Sequence, residues 1–197
     1  MEEIRLDSSF YLQEATELAP ALLGKYLQMD TVVIRILETE AYMPEDSACH
    51  ASKGKTKRNA PMFDRGGFLY VYLCYGIHQM FNIVSGQKGS AQAVLIRAGE
   101  VFRGHDIVRE RRRNLDLIGP GKLTQGLGVQ RTLSGEQIGK NVQLWDAPAV
   151  LHSKHPRIGI DYALPKDRDA LWRFVTPAKY PTKNVKKRKR STGVSKD

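Results

Sequence analysis

The sequence predicts one domain in which β-strands and α-helices are mixed. Short apolar runs rich in β-branched and aromatic residues lie between residues 25 and 98, and such runs are typical of strands. Residues 16–24 and 100–128 carry the capping and turn signals of helices. The length of 197 residues fits one domain, or at most two small ones, and a hydrophobic content of 41% is ordinary for a globular protein.

The first helix is predicted over the segment TELAPALLG. Thr16 is placed to cap it, and Pro20 lies in its first turn, where a missing donor costs little. Gly24 is the expected end of the helix. The leucines of the segment form one apolar stripe, so we expect this helix to support the core.

An antiparallel hairpin is predicted from KYLQM and TVVIRIL, which bracket a very short turn at Asp30. The second strand is β-branched, as buried strands are, yet it runs into ETEAY. Glu38 and Glu40 are spaced by two, so they point to the same face if the strand continues. Because an unpaired ionised carboxylate is costly to bury, carboxylates at this strand end indicate a special role.

Residues 43–67 hold few large apolar groups and contain glycine turns, so they are expected to form a loop over one end of the sheet. This loop carries His50 and the basic segment Lys53–Asn59. Further strands are expected at 68–75, 79–85 and 92–98.

The strand at 68–75 places aromatic side chains on one face. Phe68, Tyr70 and Tyr72 alternate with aliphatic residues, which point the other way. Together with a carboxylate, a histidine and nearby Lys or Arg, these aromatics suit a pocket for a flat, electron-poor ring beside a phosphate chain. The ordinary alternative is a half-buried hairpin whose tyrosines belong to the core.

The C-terminal half continues the mixed pattern. Glu100–Arg113 is polar and helical in tendency, and its arginine run either contacts phosphate or forms a solvated helix face. Gly119-Pro120-Gly121 opens a short helix, whose N-terminus either offers donors to an anion or is an ordinary capped end. VQLWDA and LWRFV are expected to be strands, with RIGID entering between them.

The net charge of +10 is unevenly distributed. Residues 181–197 contain seven of the 31 Lys/Arg and one of the 21 Asp/Glu, a net +6, which leaves 24 minus 20, or +4, for the rest of the chain. This tail has almost no apolar residues and is expected to be disordered. It can attract phosphates without specificity or only aid solubility. The body permits a nucleic-acid partner without demanding one.

Several classes of protein are disfavoured. The apolar runs fall short of the ~20 residues needed to cross a bilayer, and the acidic N-terminus does not look like a signal peptide. Cys49 and Cys74 make no disulfide framework, which favours a reducing compartment, and Cys49 beside His50 lacks zinc-ligand spacing. We therefore expect no membrane partner, no metal and no cofactor.

Seven blocks of sequence, in order from about Phe10 to Phe174, resemble the alkyladenine (3-methyladenine) DNA glycosylase family. The blocks are ETEAY (Glu38 to Tyr42), Glu45-Asp46 with His50, Lys57 to Asn59 with Met62 and Phe63, LYVYLCYG with Asn82, VLIRA (Val94 to Ala98), GPGKLTQGLG (Gly119 to Gly128) and RIGIDYA (Arg157 to Ala163). The resemblance implies a single α+β domain over residues 1–180, with a curved, mainly antiparallel sheet and peripheral helices.

The resemblance also implies a function. Proteins of that family flip alkylated or deaminated purines out of duplex DNA and hydrolyse the N-glycosidic bond, which initiates base excision repair. The lesions include 3-methyladenine, 7-methylguanine, hypoxanthine and etheno-adenine. No lysine matches a Schiff-base nucleophile, so base removal without strand cleavage is expected. The expected partner is double-stranded DNA and the expected state is a monomer. The expected location is the cytoplasm of a bacterium, in association with the nucleoid, or the nucleus of a eukaryote.

The chemical step is assigned by resemblance to the second acid of ETEAY. Glu40 matches the family's catalytic glutamate, which can take a proton from water and oppose positive charge developing at the sugar. Arg97 is assigned with it, as the residue that fixes this carboxylate. A plain strand-end salt bridge between Glu40 and Arg97 is the ordinary alternative, and Glu38 is expected to be structural.

The other expected site residues bind the base or the DNA. By resemblance Tyr42 and Tyr72 stack on the flipped base, and His50 gives or accepts a hydrogen bond at its edge. Asn82 matches the residue that discriminates against the amino group of guanine, or it is a polar strand residue facing solvent. Tyr75 matches a wedge that fills the vacated stack, and it should then be exposed; if buried, it is core.

Two readings of other classes remain. A non-catalytic nucleic-acid-binding module could use the same aromatic face, and the tail alone suggests a basic ribosome-associated protein. Glu40 distinguishes the first of these from an enzyme, because a pure binder has no use for a carboxylate in a pocket that admits anionic DNA.

Overall fold

A long central strand organises the sheet. The computed structural model describes residues 4–177, and in it strand β2 spans Val32–Tyr42. One edge of β2 pairs with β5, while the other pairs first with β1 and then, at Glu38 to Glu40, with β9. Strand β2 therefore lies inside the sheet, and most of its side chains are buried, including those of Glu38 and Glu40.

The strands of the described region form a nine-stranded sheet with the order β3-β4-β5-β2-β1-β7, in which β6 joins β5, β9 joins β2, and β8 joins β9. Every pairing within residues 4–177 is antiparallel. The strands are β1 (Tyr26–Met29), β2 (Val32–Tyr42), β3 (Leu69–Cys74), β4 (His78–Ser85), β5 (Gln92–Arg103), β6 (Leu117–Ile118), β7 (Val142–Trp145), β8 (Ser153–His155) and β9 (Arg173–Val175). The α-helices are α1 (Ala15–Ala21), α2 (His105–Arg112), α3 (Pro120–Leu127) and α4 (Pro165–Arg168).

The fold class predicted from the sequence is confirmed: the sheet is curled and antiparallel, and the helices lie at its periphery. Irregularities in the β2–β5 pairing help to curl it, because the register shifts between Val33 and Ile34 and on both sides of Glu38. A β-bulge bends its strand and re-aims the side chains around it. Here the irregularity falls at the acidic end of β2.

The two faces of the sheet carry different cores. The larger core lies on one face and includes the aliphatic side chains Leu69 and Val71 of β3. The smaller cluster lies on the other face, where Tyr70 packs with Phe68 and Tyr72 beneath the loop at 43–67. The alternation predicted for this strand is therefore confirmed.

The first helix does not begin as predicted. α1 starts at Ala15 with Glu14 in the capping position, so Thr16 is not the cap, and Pro20 lies in the last turn rather than the first. The backbone N–H of Ala15 donates to Oε1 of Gln92 at 2.7 Å. This acceptor is distant in sequence, so no local pattern could reveal it. Leu18 is fully buried, which confirms the supporting role of the helix.

The helical prediction over residues 100–113 is only partly right. β5 continues to Arg103 because Val101 and Arg103 still pair with β2, and α2 begins at His105. The predicted hairpin of β1 and β2 is confirmed, with Asp30 in a left-handed conformation at φ 52°. The predicted basic tail at 181–197 lies outside the described residues.

Candidate active site

The acidic end of β2 is held by arginines from two neighbouring strands. Arg97 of β5 lies between the two carboxylates, with its Nε 3.2 Å from Oε1 of Glu38 and its Nη1 3.0 Å from Oε2 of Glu40. Arg173 of β9 adds a second contact to Glu38 at 3.0 Å. Glu38 and Glu40 therefore share a face, as their spacing predicted, and Glu38 is the more heavily paired of the two with arginine.

Glu40 accepts hydrogen bonds on both of its carboxylate oxygens. The hydroxyl of Tyr42 donates to Oε2 at 2.9 Å, beside Arg97, and the backbone N–H of Ile158 donates to Oε1 at 2.9 Å. Burial is the largest influence on this side chain and raises the pKa of Glu40, while Arg97 and the two hydrogen bonds oppose that rise. A buried carboxylate with a raised pKa is a stronger base than an exposed one.

A cavity of about 490 Å³ opens in front of this carboxylate. Glu40 itself is fully covered and lies behind Arg97, Tyr42 and Ile158, which reach the cavity surface. The other residues that line the cavity include His50, Arg58, Met62, Tyr70, Tyr72, Tyr75, Met80, Asn82, Leu95, Pro120, Ile160 and Tyr162. The structure therefore brings Tyr42, His50, Tyr72, Tyr75, Asn82 and Arg97, all expected from the sequence, to one cavity.

Aromatic rings form much of the cavity wall. The His50 ring meets Tyr72 edge-on at a centroid distance of 4.4 Å, and Tyr70 lies 5.4 Å from Tyr72. Two of the rings each have a guanidinium over them: Cζ of Arg157 is 4.7 Å from the centroid of Tyr42, and Cζ of Arg58 is 5.4 Å from that of Tyr72. Such contacts fix the ring planes, so the walls are pre-formed for a flat ligand.

Asn82 is buried rather than facing solvent. Its Nδ2 donates to the carbonyl oxygens of Tyr70 at 3.0 Å and Met80 at 3.3 Å. These two carbonyls fix which end of the amide is nitrogen, because a carbonyl oxygen accepts only from a donor. Its Oδ1 is therefore the end of the amide that can accept a hydrogen bond, and Asn82 lines the cavity.

Tyr75 lies at the tip of the β3–β4 hairpin, beside the cavity. Its side chain is 90% exposed, and its backbone adopts φ 50°, a conformation that is rare for a bulky residue. The strained turn projects the ring away from the body of the protein instead of packing it. Tyr75 is thus exposed, as a wedge would be, and the core alternative for this residue is wrong.

The segment RIGIDYA closes one side of the cavity, and sequence reasoning assigned it no role. Its first residue, Arg157, is buried and pairs with both oxygens of Asp46 while also donating to the carbonyls of Ala41 and Asp167. This anchors the N–H of Ile158 against Glu40. The resemblance of the segment to a family was the signal that could have found it.

The loop at 43–67 is braced by Asn59 of the basic segment. Its Nδ2 donates to the carbonyls of His50 at 2.8 Å and Gly54 at 3.0 Å, and its Oδ1 accepts from the N–H of Thr56 at 2.6 Å. Asn59 is buried. The KRN segment therefore contributes a loop brace as well as positive charge.

The arginine run of α2 is only partly free for phosphate. Arg111 donates to the carbonyl of Gly126 at 3.1 Å, and Arg112 donates to Oε1 of Gln125 at 2.7 Å. Both side chains thus hold α3 against α2, which favours the structural alternative for them. The Gly119-Pro120-Gly121 turn does open a helix, and Pro120 reaches the cavity.

Residues 4–177 contain no group of three His, Cys, Asp or Glu side chains placed to hold a metal ion. In the same region no helix has the length and apolar character needed to cross a bilayer.

Comparison with known proteins gives one consistent result. The sequence profile of the family described as "Methylpurine-DNA glycosylase (MPG)" matches residues 9–180. A protein of Arabidopsis thaliana named DNA-3-methyladenine glycosylase is 45% identical over 174 residues, covering 84% of this chain and 68% of its own. Relatives provisionally named 3-methyladenine DNA glycosylases include those of Nitrosococcus oceani, 43% identical and covering 87% and 90%, and Chlorobaculum parvum, 46% identical and covering 87% and 88%.

Proposed function

The chain belongs to the methylpurine-DNA glycosylase family and is a hydrolase of N-glycosidic bonds, and we propose that it flips alkylated or deaminated purines out of duplex DNA and releases them with Glu40 as the catalytic base. The substrates in this proposal are 3-methyladenine, 7-methylguanine, hypoxanthine and etheno-adenine. The observation that carries it is the cavity with aromatic walls behind which the buried, arginine-paired carboxylate of Glu40 lies.

In the proposed reaction Glu40 acts on water and on the sugar. Oε2 accepts from both Arg97 and Tyr42, whereas Oε1 has one donor among residues 4–177, the N–H of Ile158. Oε1 is therefore the oxygen with capacity to take a proton from water. The negative charge also opposes the positive charge that develops at the sugar as the glycosidic bond breaks. A purine that is already cationic leaves as a neutral base.

Access to Glu40 requires a small movement, because the carboxylate is fully covered in this structure. Ile158 covers Oε1 and is itself 54% exposed, so it belongs to the more accessible side of the cavity. We propose that the Ile158 segment shifts when DNA binds and lets one water reach Oε1. Hydrogen bonds at a catalytic site commonly rearrange between the free and the substrate-bound enzyme.

The flipped purine is proposed to lie between Tyr42 and Tyr72. A guanidinium already lies over each of these rings. The purine would stack on the ring surface that the guanidinium leaves uncovered. Asn82 faces this space with its amide oriented by two carbonyls. It would contact the edge on which guanine carries its amino group. His50 is proposed to form a hydrogen bond at the edge of the same base.

The test of the proposed function is base release by the purified protein. Matched duplexes carrying each of the four lesions, and one undamaged duplex, would be incubated with excess enzyme, and the abasic sites counted over time. We expect release from at least one lesion without strand cleavage. Tight binding to lesion duplexes without release from any of them would replace this proposal with the non-catalytic binding module.

The exposed ring at the hairpin tip gives a prediction about extrusion. Tyr75→Ala should slow base release from a paired lesion, because the empty place in the base stack is no longer filled, a loss of a few kcal/mol if the ring intercalates. The measurement is single-turnover release from a paired duplex and from the same lesion in a bulge. The bulged lesion is easier to flip, so its loss should be much smaller.

Stability supplies the control for Tyr75. Because the ring is exposed, Tyr75→Ala should leave the unfolding midpoint near that of the unchanged protein. Equal losses on paired and bulged substrates would contradict the wedge.

The C-terminal charge gives a prediction about binding. We propose that residues 1–180 form the catalytic domain and that residues 181–197, with a net charge of +6, only add salt-dependent affinity for DNA. A chain ending at Pro181 should bind undamaged duplex more weakly at low salt and release base at saturating enzyme at the same rate. Loss of single-turnover release would place the tail in the fold or in the site. In this proposal the protein acts as a monomer, at the nucleoid of a bacterium or in the nucleus of a eukaryote.

A further inference from the structure

The contact between His50 and Tyr70 concerns which ring nitrogen carries the imidazole proton. Nδ1 of His50 lies 2.8 Å from the hydroxyl oxygen of Tyr70. Neither hydrogen position is visible, so the direction of this hydrogen bond must be worked out from the surroundings. The direction matters because it decides whether the other nitrogen, Nε2, gives or accepts a hydrogen bond in the cavity.

The surroundings of Tyr70 leave its proton one destination. Tyr70 is 2% exposed, so its O–H cannot turn to bulk water. Among the described residues the groups that act on its hydroxyl are Nδ1 of His50, the guanidinium of Arg58 and the thiol of Cys49, which is a weak acceptor and itself donates to the carbonyl of Ala91. A guanidinium has donors only. The phenol proton must therefore go to His50, because a buried donor without an acceptor costs free energy.

His50 is held in place from two other directions. Its ring packs edge-on against Tyr72 at 4.4 Å, and its backbone carbonyl accepts from Nδ2 of Asn59 at 2.8 Å. A second proton on the ring is disfavoured, since partial burial and the charge of Arg58 both lower the pKa of His50. With Nδ1 occupied as an acceptor, the one ring proton belongs on Nε2.

We propose that Tyr70 is a positioning residue that fixes His50 as the neutral tautomer protonated at Nε2, so that His50 presents a hydrogen-bond donor to the flipped nucleotide. The inference rests on the proposed function for the identity of the ligand and on the present geometry for the tautomer. It resolves the choice that the sequence left open, in which His50 could give or accept. The nucleotide must then offer an acceptor atom to Nε2.

The tautomer can be measured without DNA. Long-range proton–nitrogen correlation spectra of the imidazoles distinguish a bare nitrogen from a protonated one, and His50→Asn identifies the His50 signals among the five histidines. We expect a bare Nδ1 and a protonated Nε2. Tyr70→Phe should move both signals toward a mixture of tautomers. A protonated Nδ1 in the unchanged protein, or unaltered signals in Tyr70→Phe, would overturn the proposal.

Tyr11 offers a matched control for removing a buried hydroxyl. Its oxygen is buried and has no hydrogen-bond partner within residues 4–177, and Tyr11 packs in the other core. Tyr11→Phe should leave the His50 signals and base release unchanged. A change in the His50 signals as large as that in Tyr70→Phe would show that the spectrum reports general packing, and would remove the support for a specific contact.

Base release tests the donor itself. Loss of one such hydrogen bond should lower single-turnover release from a hypoxanthine duplex at subsaturating enzyme by roughly three- to tenfold in Tyr70→Phe and in His50→Leu. His50→Gln, whose amide can donate from a similar place, should recover part of that loss. Equal rates in His50→Gln and His50→Leu would contradict donation. If the unchanged protein releases no base, the proposed function fails, while the spectra still decide the tautomer.

Discussion

Replacing Glu40 with Gln is expected to slow base release by roughly 10²–10⁴-fold, the usual effect of losing a general base, with a further loss because the charge that opposes the developing cation is gone. The side chain keeps its shape, so the cavity should persist. The measurement is single-turnover release at saturating enzyme. Affinity for the lesion duplex should survive or increase, since a negative charge near the phosphates has been removed.

The contacts of Glu40 also predict a modest loss of stability in this variant. An amide has only one acceptor oxygen, whereas the carboxylate accepts from Arg97 and Tyr42 on one oxygen and from the Ile158 N–H on the other. In Glu40→Gln an NH₂ group replaces one of these oxygens and faces a donor of the protein. The unmade hydrogen bond should lower the free energy of unfolding by about 1–3 kcal/mol. The unfolding of this variant should be measured together with its kinetics, so that the rate of base release is calculated for folded protein only.

Glu38→Gln is the matched control, because Glu38 lies on the same face and binds the same Arg97. It is expected to lower stability without a selective loss of the chemical step. If Glu40→Gln stayed folded and released base near the original rate, the catalytic assignment would be wrong. A Glu38→Gln variant that lost as much rate as Glu40→Gln would move the assignment to the pair.

The pH dependence of base release is a second test of Glu40 as the general base. A general base works only when ionised, and burial raises the pKa of Glu40 above that of an exposed glutamate. Release of a lesion that is already cationic, such as 7-methylguanine, should therefore be constant above this pKa and fall as the pH is lowered through it. Glu40→Gln should lack this fall, because it has no proton to gain.

The sequence was informative where one short segment contains the whole signal. The period of two in ETEAY placed Glu38 and Glu40 on one face, and the alternation in LYVYLC placed Tyr70 and Tyr72 on the other side from the main core. Strand geometry alone carries such predictions. Tyr75, expected to be exposed if it matches a wedge, is exposed at the turn between β3 and β4.

The sequence did not predict contacts between segments that are far apart in the chain. Asp46 was noted only for its place in a motif, and Arg157 was assigned no role, yet they pair across 111 residues. The cap of α1 was misplaced for a similar reason, because Ala15 is bound by Gln92 from 77 residues away. Such partners are set by tertiary packing, which local patterns do not encode.

The buried pair of Asp46 and Arg157 leads to the largest expected effect on stability. Both side chains are fully covered, and Arg157 Nη2 lies 3.0 Å from Oδ1 of Asp46. Asp46→Ala would leave the guanidinium buried without its counter-charge. Removing one partner of such a pair typically costs about 3–5 kcal/mol, so the free energy of unfolding, measured by chemical denaturation, should fall by about that amount.

Asp169→Ala is the control, because Asp169 pairs with Arg168 at 2.8 Å while both side chains are exposed. Solvent screens an exposed pair, which therefore contributes little to stability, so that variant should unfold near the original midpoint. Equal stability of the two variants would contradict the role given to the buried pair.

The site should also change in Asp46→Ala, because Arg157 anchors the Ile158 N–H on Glu40. Base release at low temperature, where the variant is still folded, should therefore fall as well, whereas Asp169→Ala should leave it unchanged.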